Sequence, residues 1–390
     1  MAEKNNATGT AIVTPAFVFD VAALRERVAF IKRALGKRFE LCYAIKANPF
    51  LVEELKDAVD GFEVCSPGEY RICERVGVSP KQIVLSGVYK EESDIRRIVG
   101  ACGSDTVYTA ESPAQAQLLS ALAVERGITL PVILRLSSGN QFGMDGETLK
   151  SVVRANYENL DMMGVQLYSG TQKKPEKIER EAGELLAFIA SLEKECGFDC
   201  RRIEYGPGFG VTYFVNEGER DDLAAMQTVV NAFKGVPARV KIVLETGRFL
   251  AAHCGAYHTQ IVDKKTTEGV NYVIVDGGIN HLNYYGQVMA MKHPFLQVVR
   301  RRDGALGAAD EGVYTVCGAL CTTADVLVKG YPLGAVEVGD ELVFLRAGAY
   351  SVTEGIYLFL SRDMPRVYKR GEDGKLTLLR EGIRTDPFNG

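Results

Sequence analysis

The segment Tyr43-Ala44-Ile45-Lys46-Ala47-Asn48 places a lysine directly after an apolar run. A lysine drawn out of water has a lowered pKa and becomes nucleophilic enough to form an imine with a carbonyl compound. Further along, Tyr205-Gly206-Pro207-Gly208-Phe209-Gly210 is a glycine-rich turn whose backbone N–H groups suit a phosphate. Leu244-Glu245-Thr246-Gly247-Arg248 then supplies a carboxylate, the group a pyridinium nitrogen needs to stay protonated and draw electrons. Each feature also has a plainer reading. Lys46 would serve equally as a strand-end lysine snorkelling to water, the glycines as a tight turn, and Glu245 with Arg248 as a closing ion pair. A lysine, a phosphate turn and a carboxylate in one place together meet the requirements of pyridoxal 5′-phosphate.

One place requires elements that converge. Eight β-rich runs alternate with helical patterns: Glu40–Ala47, Gly61–Ser66, Ile83–Gly87, Thr106–Ala110, Pro131–Ser137, Met163–Ser169, Arg202–Gly206 and Val240–Thr246. Eight βα units in one block predict a (β/α)8 TIM barrel, in which chemistry gathers at the C-terminal strand ends. Lys46, Glu245 and the glycine turn all fall there, and the sixth run ends Gln166-Leu167-Tyr168-Ser169-Gly170-Thr171, adding an aromatic face and hydroxyls. After residue 262 the texture changes to strands separated by Gly, Asp and Pro turns, at Tyr272–Asp276, Val313–Cys317, Glu341–Leu345 and Arg366–Lys369. The expected organisation is an α/β chain: residues 1–25 joining a β-domain, a barrel over 26–262, and a mainly β C-terminal domain over 263–390. The tail Gly371–Gly390 is polar and reads as mobile.

Composition agrees with a two-core enzyme: 390 residues, 46% hydrophobic, net charge −4 with no basic block. That charge pattern argues against nucleic acid and against a polybasic membrane anchor. No apolar run of about eighteen residues appears, and Met1–Thr10 is polar, so a cytoplasmic protein is expected. Nine scattered cysteines read as reduced core thiols rather than a disulfide framework. Cys196 with Cys200, and Cys317 with Cys321, lack the histidine or second close pair that zinc needs, so no metal is expected. Four histidines are too few for a multi-histidine metal site.

The chain resembles the alanine-racemase-like, fold-type III pyridoxal-phosphate decarboxylases, the group of diaminopimelate, ornithine and arginine decarboxylases. The resemblance runs in order through Tyr43–Asn48, Gly61–Ser66, Gln141-Phe142-Gly143, Gly206–Gly210, Glu245–Arg248, Cys317–Asp325 and Gly348-Ala349-Tyr350. It implies that Lys46 carries the cofactor as a Schiff base and that Glu245 partners the pyridine nitrogen. Gly208, Gly210, Gly247, Arg248 and Tyr350 would hold the phosphate or lie beside it. Cys321 matches the cysteine that enters from a neighbouring subunit and returns a proton after carbon dioxide leaves, which implies a homodimer with shared active sites.

Departures from the common pattern bear on substrate. Tyr168 stands where better-known members stack a histidine on the cofactor. Cys321-Thr322-Thr323 lacks the acidic residue that grips a distal amine, and 276–287 with His293-Pro294 lacks the arginine used on diaminopimelate. These segments resemble a branch acting on glutamyl groups carried by acyl-carrier proteins and on citryl-amino acid conjugates. Arg248, His281, Thr322 and Tyr350 are the expected substrate contacts of an amino-acid substrate, free or tethered to a carrier protein. The alternatives are a decarboxylase of free diaminopimelate, lysine or ornithine, an amino-acid racemase, and a non-catalytic cofactor carrier. Glu245 opposes the racemase, which places arginine at that position, and Cys321 with Tyr350 opposes the carrier.

Overall fold

Eight short apolar runs pair in parallel and close on themselves in the computed structural model, which describes residues 11–284, 289–300 and 312–390. The strands are Phe39–Ala44, Gly61–Val64, Ile83–Leu85, Val107–Ala110, Leu130–Arg135, Leu160–Tyr168, Arg202–Gly206 and Lys241–Thr246, and the first pairs with the last to complete a TIM barrel. Their C-terminal halves are mostly buried on both faces, as parallel strands covered by helices require. Cys42, Val84, Ile133 and Val243 pack as one buried cluster, with Val107 and Met163 against it.

Register decides what reaches the mouth. Ala44 stands beside Glu63, Cys42 beside Glu245, Gln166 beside Glu204, and Tyr168 beside Gly206. Two N-caps, each with a reciprocal bond back to the residue before the cap, then fix strand ends. Ser66 Oγ accepts the Glu69 N–H at 3.2 Å while Glu69 accepts the Cys65 N–H at 2.7 Å. Ser112 and Gln115 repeat the device, with Gln115 Oε1 accepting the Glu111 N–H at 2.9 Å.

Contacts divide the chain into two compact units, 27–211 with 220–250, and 1–26 with 212–219 and 251–390. The second unit is a nine-stranded sheet among the described residues. Its path runs Val326–Pro332, Val313–Cys317, Val270–Val275, Gly255–Thr267, Ala16–Asp20, Arg366–Arg370 and Leu376–Arg380, while Glu341–Phe344 bridges Gly255–Thr267 to Leu296–Val299. Ala16–Asp20 lies antiparallel to Gly255–Thr267 and parallel to Arg366–Arg370. The expectation of a mobile tail is corrected here: Leu376–Arg380 is an edge strand on Arg366–Arg370. Its alternation is masked because most of it is exposed or half-buried, as edge strands often are. Tyr285, Gly286, Gln287 and Met1–Thr10, which carried expectations above, lie outside the described residues. Among the described residues no helix is long and apolar enough to cross a membrane.

Candidate active site

Lys46 follows the first barrel strand in a single tight turn, Ile45–Ala47. Its Nζ donates to Glu63 Oε2 at 2.6 Å, lies 3.6 Å from Glu245 Oε1 and 3.7 Å from Cys65 Sγ, and sits 5.7 Å from the Tyr168 ring centre. The lysine side chain is 34% exposed, whereas those of Glu63 and Glu245 are 3% and 4% exposed. The amine therefore faces the opening with two carboxylates beneath it.

Those carboxylates belong to a larger buried set. Glu204 is held by Arg202 at 2.8 Å, and the Gln166 amide donates to Glu204 at 3.2 Å and to Glu245 at 3.3 Å. Three buried carboxylates face two cations, Lys46 and Arg202, so electroneutrality favours one protonated acid. Burial pushes the Glu245 carboxyl well up, the charges of Glu63 and Glu204 push it further, and Lys46 opposes them. Burial also acts to raise Glu63, but Lys46 and the shared hydrogen bonds overcome it and hold Glu63 low. Burial pushes Glu204 up as well, against the pull of Arg202, so protonation is favoured at Glu245 and Glu204 over Glu63. Gln166 Oε1 and Thr246 Oγ1 in this layer are buried without a hydrogen-bond partner among the described residues.

Tyr168 ends the sixth strand, and its ring lies where a Cβ on Gly206 would come within 2.5 Å of it. Burial raises its phenol, while Lys46 and Arg248 work the other way. Gly208 is left-handed with φ +62°, and a Cβ there would lie 2.1 Å from the Gly170 carbonyl oxygen. The turn is therefore built flush against the 169–173 loop: the Lys173 N–H donates to Gly208 O at 3.0 Å, and the Gln172 amide bonds the Val211 backbone N–H at 2.6 Å and its carbonyl at 3.0 Å. Gly210 lies against the Arg220 guanidinium, and Gly247 against Ala44 and Ala47. Beside this cluster, Glu111 holds Arg135 at 2.9 Å, and Arg135 covers the Phe142 ring at 4.8 Å. The structure thus brings together Lys46, Tyr168, Gly208, Glu245 and the flanking Gly210, Gly247 and Arg248.

The remaining candidates lie in the β-unit. Cys321 is exposed, in the turn between Val313–Cys317 and Val326–Pro332. The Asp325 carboxylate shapes that turn, accepting the Leu320 N–H at 2.7 Å and the Ile279 N–H at 2.9 Å. Thr322 Oγ1 accepts the Ala324 N–H at 3.3 Å. Tyr350 is left-handed, with φ 67°, and its carbonyl accepts from Thr353 and Glu354.

His281 is 3% exposed, with Nδ1 3.0 Å from the Tyr257 hydroxyl and Nε2 3.0 Å from the Asp363 carbonyl. A substrate contact through either nitrogen would require one of those bonds to break. Burial lowers its pKa to about 4, reinforced by Arg362 and Arg380 against the Asp363 carbonyl. The unfolded chain therefore binds the extra proton between pH 6.5 and 4, so this contribution to stability is complete above pH 6.5 and is lost as pH falls toward 4. The amount is about 3 kcal/mol. In thermal melts over that range, His281→Gln should show a shallower loss of stability than the wild type; equal slopes would contradict this.

The sequence assigns no role to Gln166, Glu204, Cys65, Glu111 and Arg135, and from it Glu63 reads equally as orienting a cofactor or as pairing with a neighbour. A common signal was present: each is a polar residue or thiol in or just beyond a strand otherwise buried, where an unpaired polar group is costly.

The family model described as pyridoxal-dependent decarboxylase, pyridoxal binding domain, matches residues 21–252. L-glutamyl-(BtrI acyl-carrier protein) decarboxylase of Niallia circulans is 26% identical over 402 residues, covering 96% of this chain and 92% of that protein. Diaminopimelate decarboxylase of Pseudomonas fluorescens is 31% identical over 365 residues, covering 86% and 83%. Among solved structures, diaminopimelate decarboxylase from M. jannaschii in co-complex with L-lysine matches with a TM-score of 0.84 at 23% identity, covering 95% of this chain and 89% of that one. At that identity the likeness bears on the fold.

Proposed function

The chain belongs to the fold-type III pyridoxal-dependent decarboxylases and is a carboxy-lyase, and from that premise we propose that it removes the α-carboxylate of an amino acid carried in a conjugate, with Lys46 holding pyridoxal 5′-phosphate. The observation carrying this reading is the Lys46 amine set 2.6 Å from Glu63 and 3.6 Å from Glu245 at the barrel mouth. The residues fit the cofactor: an amine open to the mouth, a buried carboxyl whose pKa is pushed up, and a turn with no room for a Cβ at Gly206 or Gly208. When bound, pyridoxal phosphate supplies the electron withdrawal that lets the bond to the carboxylate break.

The protein residues do the rest. Lys46 would hold the cofactor through its amine, and Glu63, 2.6 Å from Nζ, would steady that amine whenever it carries a proton. Glu245 would stand against the ring nitrogen and hold a proton there. Tyr168 would cover the ring face, and the Gly208–Gly210 backbone, Gly247, Arg248 and Tyr350 would hold the phosphate. Cys321, entering from a partner subunit of a homodimer, would deliver the proton to the substrate carbon, a transfer that a positioned side chain can make. Nine free thiols support a cytoplasmic setting.

Two features support a conjugated substrate: the Thr322-Thr323 pair after Cys321 where an amine grip would stand, and the 92% coverage of a decarboxylase named for a carrier-bound glutamyl group. The second reading, decarboxylation of free diaminopimelate, is favoured by the 31% identity to the Pseudomonas fluorescens enzyme. Release of labelled carbon dioxide from carboxyl-labelled substrates separates them. A glutamyl thioester of a pantetheine or carrier protein is expected to react at least tenfold faster than free glutamate or diaminopimelate; faster release from diaminopimelate would overturn the conjugate reading.

A further inference from the structure

Lys173 and Glu181 form a buried ion pair that the chemistry above does not use. Their side chains are 1% and 9% exposed, with Nζ 2.6 Å from Glu181 Oε2. Taking two charges out of water costs more than such a pair commonly returns, so stability alone is a poor reason for it. What the pair touches supplies another. The Lys173 ammonium also donates to the Gly206 carbonyl at 3.3 Å and lies 5.8 Å and 5.7 Å from the ring centres of Tyr168 and Tyr205. Its Cε is 3.0 Å from where a Cβ on Gly208 would stand, and its backbone N–H bonds Gly208 O. Glu181, on the second turn of helix Pro175–Cys196, uses its other oxygen to accept the Ser169 hydroxyl at 2.6 Å. One carboxylate thus reaches both the loop after the sixth strand and, through Lys173, the glycine turn after the seventh.

We propose that the Lys173–Glu181 pair is a positioning clamp that sets the Gly206–Gly210 turn as a phosphate cradle and so gives the barrel its preference for a phosphorylated cofactor. This rests on the reading that the turn holds the cofactor phosphate. Lys173 stays under the turn, bonded to Gly206 O, and Glu181 keeps it from swinging toward solvent. Loosening either lets the turn backbone drift. A drift of about 1 Å in such a site can cost on the order of a hundredfold.

The test compares binding of pyridoxal 5′-phosphate and of pyridoxal to cofactor-stripped protein, followed by absorbance and, for the phosphate, by phosphorus NMR. Single replacements leave a buried charge unpaired, so the main variant is Lys173→Met with Glu181→Leu, folding being checked by circular dichroism. A companion, Ser169→Ala, removes the hydrogen bond to the outer oxygen of Glu181 and leaves Lys177, 3.7 Å from that oxygen, in place. Wild type is expected to favour the phosphorylated compound by about a hundredfold. The double variant should lower that ratio at least tenfold with pyridoxal affinity unchanged, and its bound phosphorus resonance should broaden or shift; Ser169→Ala should lower the ratio several-fold. Wild-type ratios in the folded double variant and in Ser169→Ala would overturn the clamp. Gly208→Ala separates the premise: a ratio lost there but kept in the clamp variants leaves the cradle standing without the clamp, whereas a wild-type protein without any preference overturns the cradle as well.

Discussion

Lys46→Ala is expected to abolish carbon dioxide release, by about 10^4-fold or more, because the group that holds and then releases the cofactor is gone. The same variant should lose the absorbance of covalently held cofactor while keeping its fold, since the Lys46 side chain is 34% exposed. Its removal leaves Glu63 and Glu245, 3% and 4% exposed, without their common cation. Burial then favours proton uptake by Glu63 too, so the variant should bind pyridoxal phosphate weakly and without the covalent band. Turnover within tenfold of wild type would remove Lys46 from the chemistry.

Glu245→Gln is the second large effect. Glutamine keeps the shape and preserves the contact with Gln166, but it has no proton to give a ring nitrogen and no charge to hold it there. A loss of about 10^2 to 10^3-fold in kcat is expected, the size seen when one preorganised electrostatic contact is removed at a reacting centre. Cofactor affinity should change only several-fold, because Lys46 and the glycine turn remain. A variant that loses cofactor but turns over normally when saturated would show that Glu245 serves binding alone.

Both effects depend on residues that were legible before the fold was seen. Lys46, Glu245 and the glycine turn announced themselves because each interrupts or ends an apolar run in a way that a strand alone does not need. The barrel was legible for the same reason that parallel sheets usually are: its strands are continuous buried runs with helices between them. The β-unit was harder. Gly255–Thr267 reads poorly because a bulge at Ile261/Asp263 shifts its register and its second half, Asp263–Thr267, is exposed and charged. Leu376–Arg380 is hidden by exposure at the sheet edge.

The supporting network was hidden differently. Gln166 and Glu204 lie on separate strands, 38 residues apart, and meet only through barrel register. Lys173 and Glu181 look like surface charges at the start of a helix rich in Lys and Glu. Only the packing of that helix puts one carboxylate against Ser169 and Lys173 at once. Spacing along a chain reports faces and ends, whereas charge balance inside a barrel depends on neighbours that no local pattern contains.

The most direct test of the central claim is proton NMR in deuterated water of the pyridoxal-phosphate-loaded protein with glutamate, diaminopimelate, lysine, ornithine and a glutamyl thioester. Loss of the carboxylate from one of these, with a single deuterium appearing on the resulting amine carbon, is the expected result. Exchange of the α-proton with the carboxylate retained would contradict decarboxylation and identify a racemase built on the same barrel.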